Sequence, residues 1–180
     1  MKRTVLLFAA ILFISGSLMA QKKNDIKTDL FSPFLRTYTF KYERALTQSM
    51  SAQLGFFYTG FHPGETTVFS GFALTPEFRF YLSSTPAPNG TYLAPNVRYY
   101  QFTLTDTEVE GEGKLSNISL AFNLGKQVLL KNIAIIDAWV GPSYNFRNLE
   151  VIDPESDLGY QFFEGNGFGI RLGIAIGLAF

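Results

Sequence analysis

The sequence predicts an all-β protein: an eight-stranded antiparallel transmembrane β-barrel whose N-terminal signal peptide is removed. Three observations lead to this class. Apolar residues alternate with polar or small ones along much of the chain, which is the period of β-strands and not of helices. Residues 1–20 have the composition of an export signal. Only 17% of the residues are charged, against about 25% in soluble domains, while 16% are aromatic.

The N-terminus reads as a signal peptide over 1–20, followed by a barrel domain over 21–180. Lys2 and Arg3 precede an apolar run from Val5 to Ile14, and small residues lead to Ala20. The run is shorter than the ~18–20 apolar residues that a spanning helix needs. We therefore expect cleavage after Ala20 and not a membrane anchor.

Cysteine content and charge exclude several classes of site and partner. The chain has no cysteine, which excludes a lipoprotein anchor, disulfide bonds and thiolate metal sites. Without Lys2 and Arg3, 13 basic residues stand against 15 acidic ones, a net charge of −2. No nucleic-acid partner, metal site or cofactor is expected from this composition.

Alternating segments, separated by turn residues, account for most of the chain after residue 25. The segment "SNISLAFNL" is typical, with Ile118, Leu120 and Phe122 on one face and polar or small residues on the other. The eight predicted strands are 26–32, 37–45, 49–60, 68–82, 91–104, 115–125, 132–145 and 167–180.

The last segment, "GFGIRLGIAIGLAF", indicates which face meets lipid. Large apolar residues occupy every second position, and glycine, alanine and Arg171 lie between them. In a soluble barrel of the lipocalin kind the small residues would face water, where they make a poor surface. In a narrow membrane barrel they line the interior, which has room only for side chains that fill it. The sequence therefore favours an outer-membrane barrel.

Connections alternate in length as the membrane arrangement requires. The predicted periplasmic turns are 47–49, 83–90 and 127–132. The predicted outer loops are 32–36, 61–67, 106–114 and 147–166, the first of which is unusually short. Pro76, Pro95 and Pro142 fall inside predicted strands, so we expect bulges there or shorter strands.

Four segments carry a resemblance to a known family: "IKTDLFSPFLRTYTFKYERAL", "PEFRFYL", "PNVRYYQF" and "DAWVGPSY". Over most of its mature part, the chain resembles an uncharacterised family of small outer-membrane β-barrels from Bacteroidetes-type bacteria. More loosely, its layout is similar to the OmpA-transmembrane and OmpX kind of barrel. The resemblance implies a location in the outer membrane of a Gram-negative bacterium, and it implies no reaction. No peptidoglycan-binding domain follows the last strand, so a tether to the cell wall is not implied.

Charged residues of the predicted strands fall on the interior face when the alternation is followed along each strand. They are Asp29, Lys41, Glu43, Glu77, Arg79, Arg98, Asp137 and Arg171. Because four acids and four bases share a confined space, we expect ion pairs that plug the lumen, with Glu77 near Arg98. The alternative is a polar, water-filled pathway, which would make the protein a narrow channel for small solutes.

The final strand also carries a candidate assembly signal. Alternating apolar residues that end in phenylalanine resemble the pattern read by the outer-membrane assembly machinery; the residues concerned are Ile174, Ile176, Leu178 and Phe180. The expected partners are therefore outer-membrane lipid, lipopolysaccharide and, during biogenesis, the assembly machinery.

The predicted outer loops are acidic and contain one candidate for catalysis. The acidic residues singled out are Asp106, Glu108, Glu110, Glu112, Asp153, Glu155 and Asp157. They keep the loops solvated, or they bind divalent cations or an unidentified basic surface partner. His62 is the only histidine, and a lipid-A-modifying enzyme would need it beside a nucleophile and an orienting acid. Sequence shows only proximity, so we expect no enzyme and a structural or surface-interaction role.

Overall fold

The computed structural model describes residues 22–34, 36–61, 67–106, 111–151 and 166–180, which form a closed barrel of eight antiparallel strands. In chain order the strands are β1 (Asn24–Asp29), β2 (Thr37–Ala45), β3 (Met50–Phe61), β4 (Thr67–Tyr81), β5 (Gly90–Asp106), β6 (Gly111–Leu130), β7 (Ala134–Val151) and β8 (Gly167–Ala179). Each strand pairs with the next, and β8 pairs with β1. The predicted all-β, eight-stranded antiparallel fold is confirmed.

The two ends of the barrel differ in their connections. Turns over 46–49, 82–89 and 131–133 lie at one end, together with the start of β1 and the end of β8; we call this the turn end. At the opposite end, the loop end, the strands are connected through residues 30–36, 62–66, 107–110 and 152–166. Among the described residues there is no helix long and apolar enough to cross a membrane.

Several predicted boundaries are wrong, most clearly between β6 and β7. The predicted turn over 127–132 is mostly strand, because β6 continues to Leu130 and pairs there with Ala134. The actual turn needs only three residues, with Lys131 and Asn132 in the left-handed region at φ 49° and 57°. Part of the predicted last loop, 147–151, belongs to β7. β1 begins at Asn24 instead of residue 26, which brings Asp25 into the barrel wall.

The prolines do not cause the predicted bulges or shorten the strands. Pro76 pairs with Leu54 of β3, and the register between β4 and β5 is the same on both sides of it. Pro142 likewise pairs with Ile170 of β8 while the β6–β7 register continues unchanged. Each proline remains paired with one neighbouring strand and is unpaired with the other. A residue in a strand donates its N–H to one neighbouring strand only, so the missing N–H of proline affects only that strand.

The two faces of the wall differ sharply. Large apolar side chains point outward on β2 to β8; Leu124 is 51% exposed and Phe168 is 87% exposed. Polar and charged side chains point inward and are buried. The small inward residues make room for large neighbours, since a Cβ on Gly173 would lie 2.2 Å from the Trp139 ring and one on Gly125 would lie 2.3 Å from the Tyr92 ring.

Candidate functional site

The lumen near the turn end is filled by a network of buried ionic side chains, which we call the plug. Its charged members come from four strands, β1, β2, β4 and β7: Asp25, Lys27, Glu43, Glu77, Arg79 and Asp137. All six are buried, with exposed fractions of 6% or less. Because inward positions recur at every second residue, each strand contributes its charge without disturbing the apolar outer face.

Arg79 is the centre of the plug. Its Nε lies 2.6 Å from Glu77 Oε1, while Nη1 lies 3.0 Å from Glu43 Oε2 and 2.9 Å from Asp137 Oδ2. The guanidinium carbon lies 4.2 Å from the centroid of the Tyr92 ring. One cation thus contacts three carboxylates from three other positions in the wall, an arrangement that the planar guanidinium group suits better than an ammonium.

Lys27 is the second cation of the plug. Its Nζ donates to Glu43, to Gln127 Oε1 at 2.7 Å and to Asp137 Oδ2 at 3.3 Å. It also lies 3.4 Å from Asp25 Oδ1. Lys27 therefore draws together carboxylates from β1, β2 and β7, and it shares Glu43 and Asp137 with Arg79.

Neutral donors complete the network. Tyr81 Oη and Ser51 Oγ donate to Glu43 Oε1 at 2.7 and 2.5 Å, and Tyr92 Oη donates to Asp137 Oδ1 at 2.7 Å. Gln127 Nε2 donates to Asp25 Oδ2 and to the carbonyl of Pro88 in the 82–89 turn, both at 2.8 Å. Buried carboxylates with this many partners are held in place.

Above the plug, toward the loop end, lies a second set of charges around a cavity of about 330 Å³, the upper chamber. Lys41 Nζ donates to Asp29 Oδ1 at 2.5 Å and lies 3.7 Å from the centroid of the Trp139 ring. Arg98 and Arg171 also line the chamber. Arg171 Nη1 donates to Asn96 Oδ1 at 2.5 Å.

All eight charged residues singled out in the sequence line the lumen, but not with the expected partners. Glu77 lies opposite Asn96, as the turn predicts, yet it pairs with Arg79 of its own strand. The expected Glu77–Arg98 pair is wrong, because Arg98 instead faces the Phe57 ring with its guanidinium carbon 5.2 Å from the centroid.

Sequence reasoning missed several members of the plug. Lys27 shares the inward face of Asp29, so strand alternation predicts its position, whereas Asp25 lies outside the predicted first strand, 26–32. The neutral members Ser51, Tyr81, Tyr92 and Gln127 carry no charge that would single them out. Only their convergence on two carboxylates, Glu43 and Asp137, and on Lys27 and Asp25 identifies them.

The other candidate residues lie outside the lumen or outside the described part of the chain. Ile174, Ile176, Leu178 and Phe180 point outward and are exposed by 37–53%. Asp106 belongs to β5 and Glu112 to β6, and for these two residues only the backbone is described. The signal peptide and the remaining candidates fall outside the described residues: His62, Glu108, Glu110, Asp153, Glu155 and Asp157.

Comparison with known proteins yields one match. A family model described as a protein of unknown function, DUF3575, matches residues 4–121, which run from the N-terminal segment to the middle of β6. No curated protein and no solved structure matches the chain.

Proposed function

The chain belongs to the DUF3575 family of proteins of unknown function, and we propose that it is an outer-membrane β-barrel of a Gram-negative bacterium, closed by its plug. In this proposal residues 1–20 are a signal peptide, the loop end faces the outside of the cell, and the protein has a structural or surface-interaction role. The resemblance to Bacteroidetes-type and OmpX-like barrels belongs to the same proposal.

The observation that carries the proposal is the outward apolar belt. Exposed large apolar residues cover the wall on β2 to β8, for example Phe40, Phe56, Phe122 and Ile176. Patches on monomeric soluble proteins seldom exceed a few hundred Å². Each exposed apolar Å² costs roughly 25 cal/mol in water, a cost that the hydrocarbon core of a membrane removes.

Aromatic side chains near both ends of the belt support the same placement. Phe34, Tyr38 and Tyr58 lie toward the loop end, with the Tyr38 and Tyr58 ring centroids 6.5 Å apart. Tyr42 and Phe180 lie toward the turn end. Tyrosine and phenylalanine at these levels match the aromatic girdles of outer-membrane barrels.

The location is tested by fractionating membranes of cells that produce the protein. We expect the wild type in the outer membrane, with a gel mobility that changes on heating because the folded barrel resists detergent. Replacing Leu178 and Phe180 together by aspartate should lower the heat-modifiable fraction, since both belong to the proposed assembly signal. Leu178→Ile with Phe180→Tyr is the matched control and should assemble normally. A soluble periplasmic wild type would overturn the proposal.

The closed interior is tested by recording currents across planar bilayers. We expect no steady conductance from the wild type, because the plug fills the lumen near the turn end. Glu43→Ala with Arg79→Ala removes a cation and an anion from the plug and should conduct. Asp29→Ala with Lys41→Ala makes the same change in the upper chamber and should stay silent. A large, steady wild-type current would favour the narrow channel instead.

A further inference from the structure

The upper chamber has the size and position of a ligand pocket. Its volume of about 330 Å³ lies between the plug and the loop end, and Phe57 and Trp139 form part of its wall. Pockets for small organic molecules begin at ~300 Å³ and combine apolar walls with a few polar groups. The chamber meets both conditions.

Charge is distributed unequally between the two halves of the lumen. The plug holds four carboxylates and two cations, a net charge of −2. Among the described lining residues of the upper chamber that lie outside the plug, three cations stand against one carboxylate, Asp29, a net charge of +2. The lumen is balanced as a whole, yet the chamber is locally cationic.

The excess charge resides on two arginines. Lys41 is engaged by Asp29, whereas neither Arg98 nor Arg171 has a carboxylate within 4.0 Å among the described residues. Arg98 Nε is buried and has no hydrogen-bond partner in this part of the chain, and Arg171 donates to a neutral amide oxygen, Asn96 Oδ1. The two guanidinium groups also repel each other. Asp29 attracts both arginines and Glu77 attracts Arg171, but from more than 4.0 Å away, so a bound anion would lower the cost of confining the two cations.

Two amide side chains of the chamber wall are bound to the plug. The side-chain nitrogens of Gln53 and Asn123 donate to the Glu77 carboxylate at 3.1 and 3.4 Å. This leaves Gln53 Oε1 and Asn123 Oδ1 buried and without partners among the described residues. Both residues line the chamber. Because both oxygens are fully buried, a molecule in the chamber does not reach them, and its recognition falls to the two arginines.

We propose that the upper chamber binds a small organic anion, with its carboxylate or phosphate group between Arg98 and Arg171. Planar guanidinium groups suit such oxyanions because they donate two parallel hydrogen bonds. Phe57 and Trp139 contact the carbon skeleton. This site lies beyond the proposed structural role, and binding in detergent micelles does not depend on where the protein resides in the cell.

The single tryptophan of the chain, Trp139, makes the test direct. It lines the chamber, so a bound ligand should change its fluorescence. The purified protein in detergent micelles is titrated with gluconate and with glucose 1-phosphate, and with sorbitol as the uncharged probe. We expect a saturable response to at least one anion and none to sorbitol at the same concentrations.

Variants test whether the fluorescence response depends on Arg98 and Arg171. Arg98→Gln and Arg171→Gln should each weaken anion binding at least tenfold, while Arg171→Lys, which keeps the charge, should bind within about threefold of the wild type. Arg44→Gln makes the same change on the exposed outer surface and should have no effect. No saturable response to either anion, or an equal response to sorbitol, would overturn the proposal. The wild-type comparison decides this even where a variant fails to fold.

Discussion

Replacing Arg79 by methionine is expected to destabilise the folded barrel by about 3–5 kcal/mol. The guanidinium group contacts Glu43, Glu77 and Asp137, and its removal would leave the four buried carboxylates of the plug with Lys27 as their one remaining cation among the described residues of the plug. Methionine fills much of the same volume, so the loss reports charge more than packing. The free energy of unfolding is measured by urea titration in lipid vesicles, with Trp139 fluorescence as the signal.

Two comparisons isolate the charge effect. Arg44→Met removes an exposed arginine from the same barrel and should change the free energy of unfolding by less than about 0.5 kcal/mol. Glu43→Gln combined with Arg79→Met should cost less than the sum of the single changes, because each single change strands a charge. A wild-type stability for Arg79→Met would mean that the plug contributes nothing to folding.

The second large effect is expected at the seam that closes the barrel. Five residue pairs join β1 to β8, and Gly177 lies among them opposite Lys27. A Cβ on Gly177 would lie 2.1 Å from the carbonyl oxygen of Ile26 and 2.6 Å from Cγ of Lys27. Gly177→Val should therefore cost about 3 kcal/mol or more, the upper range for overpacking, because backbone as well as a plug residue must move.

Gly167→Val is the matched control on the same strand. A Cβ at Gly167 meets no atom within 4 Å, so this variant should keep a near wild-type free energy of unfolding. Heat-modifiable gel mobility provides a second measure, since an open β1–β8 seam should abolish the folded band. Equal stability of the two valine variants would show that the seam tolerates displacement at Gly177.

Strand number and the two faces of the wall were accessible from sequence because both follow from local alternation. In the final strand, large apolar residues at every second position predict one outward face, and β8 exposes Phe168, Ile170 and Leu172 accordingly. The same parity sends Asp29, Lys41 and Arg171 inward. The positions of the turns were harder to predict from the sequence. Residues 127–130 fall in a predicted turn, but they continue strand β6 to Leu130.

By itself, then, the sequence determined that eight strands with one polar face each surround a polar interior. Residues two positions apart in a strand lie on the same face, so the local pattern identifies the inward side chains. Only the tertiary structure decided which charges meet. Lys27 reaches Asp137, 110 positions away, because strand tilt and stagger set the level of each side chain across a closed barrel. Alternation alone puts Glu77 and Arg79 on one face of β4, but the stagger between strands brings Arg79 to Glu43 and Asp137 and leaves Arg98 and Arg171 with no carboxylate within 4.0 Å in the described part of the chain. Alternation specifies the face of the wall on which a side chain lies but not its position along the barrel axis, and that position determines which side chains it contacts.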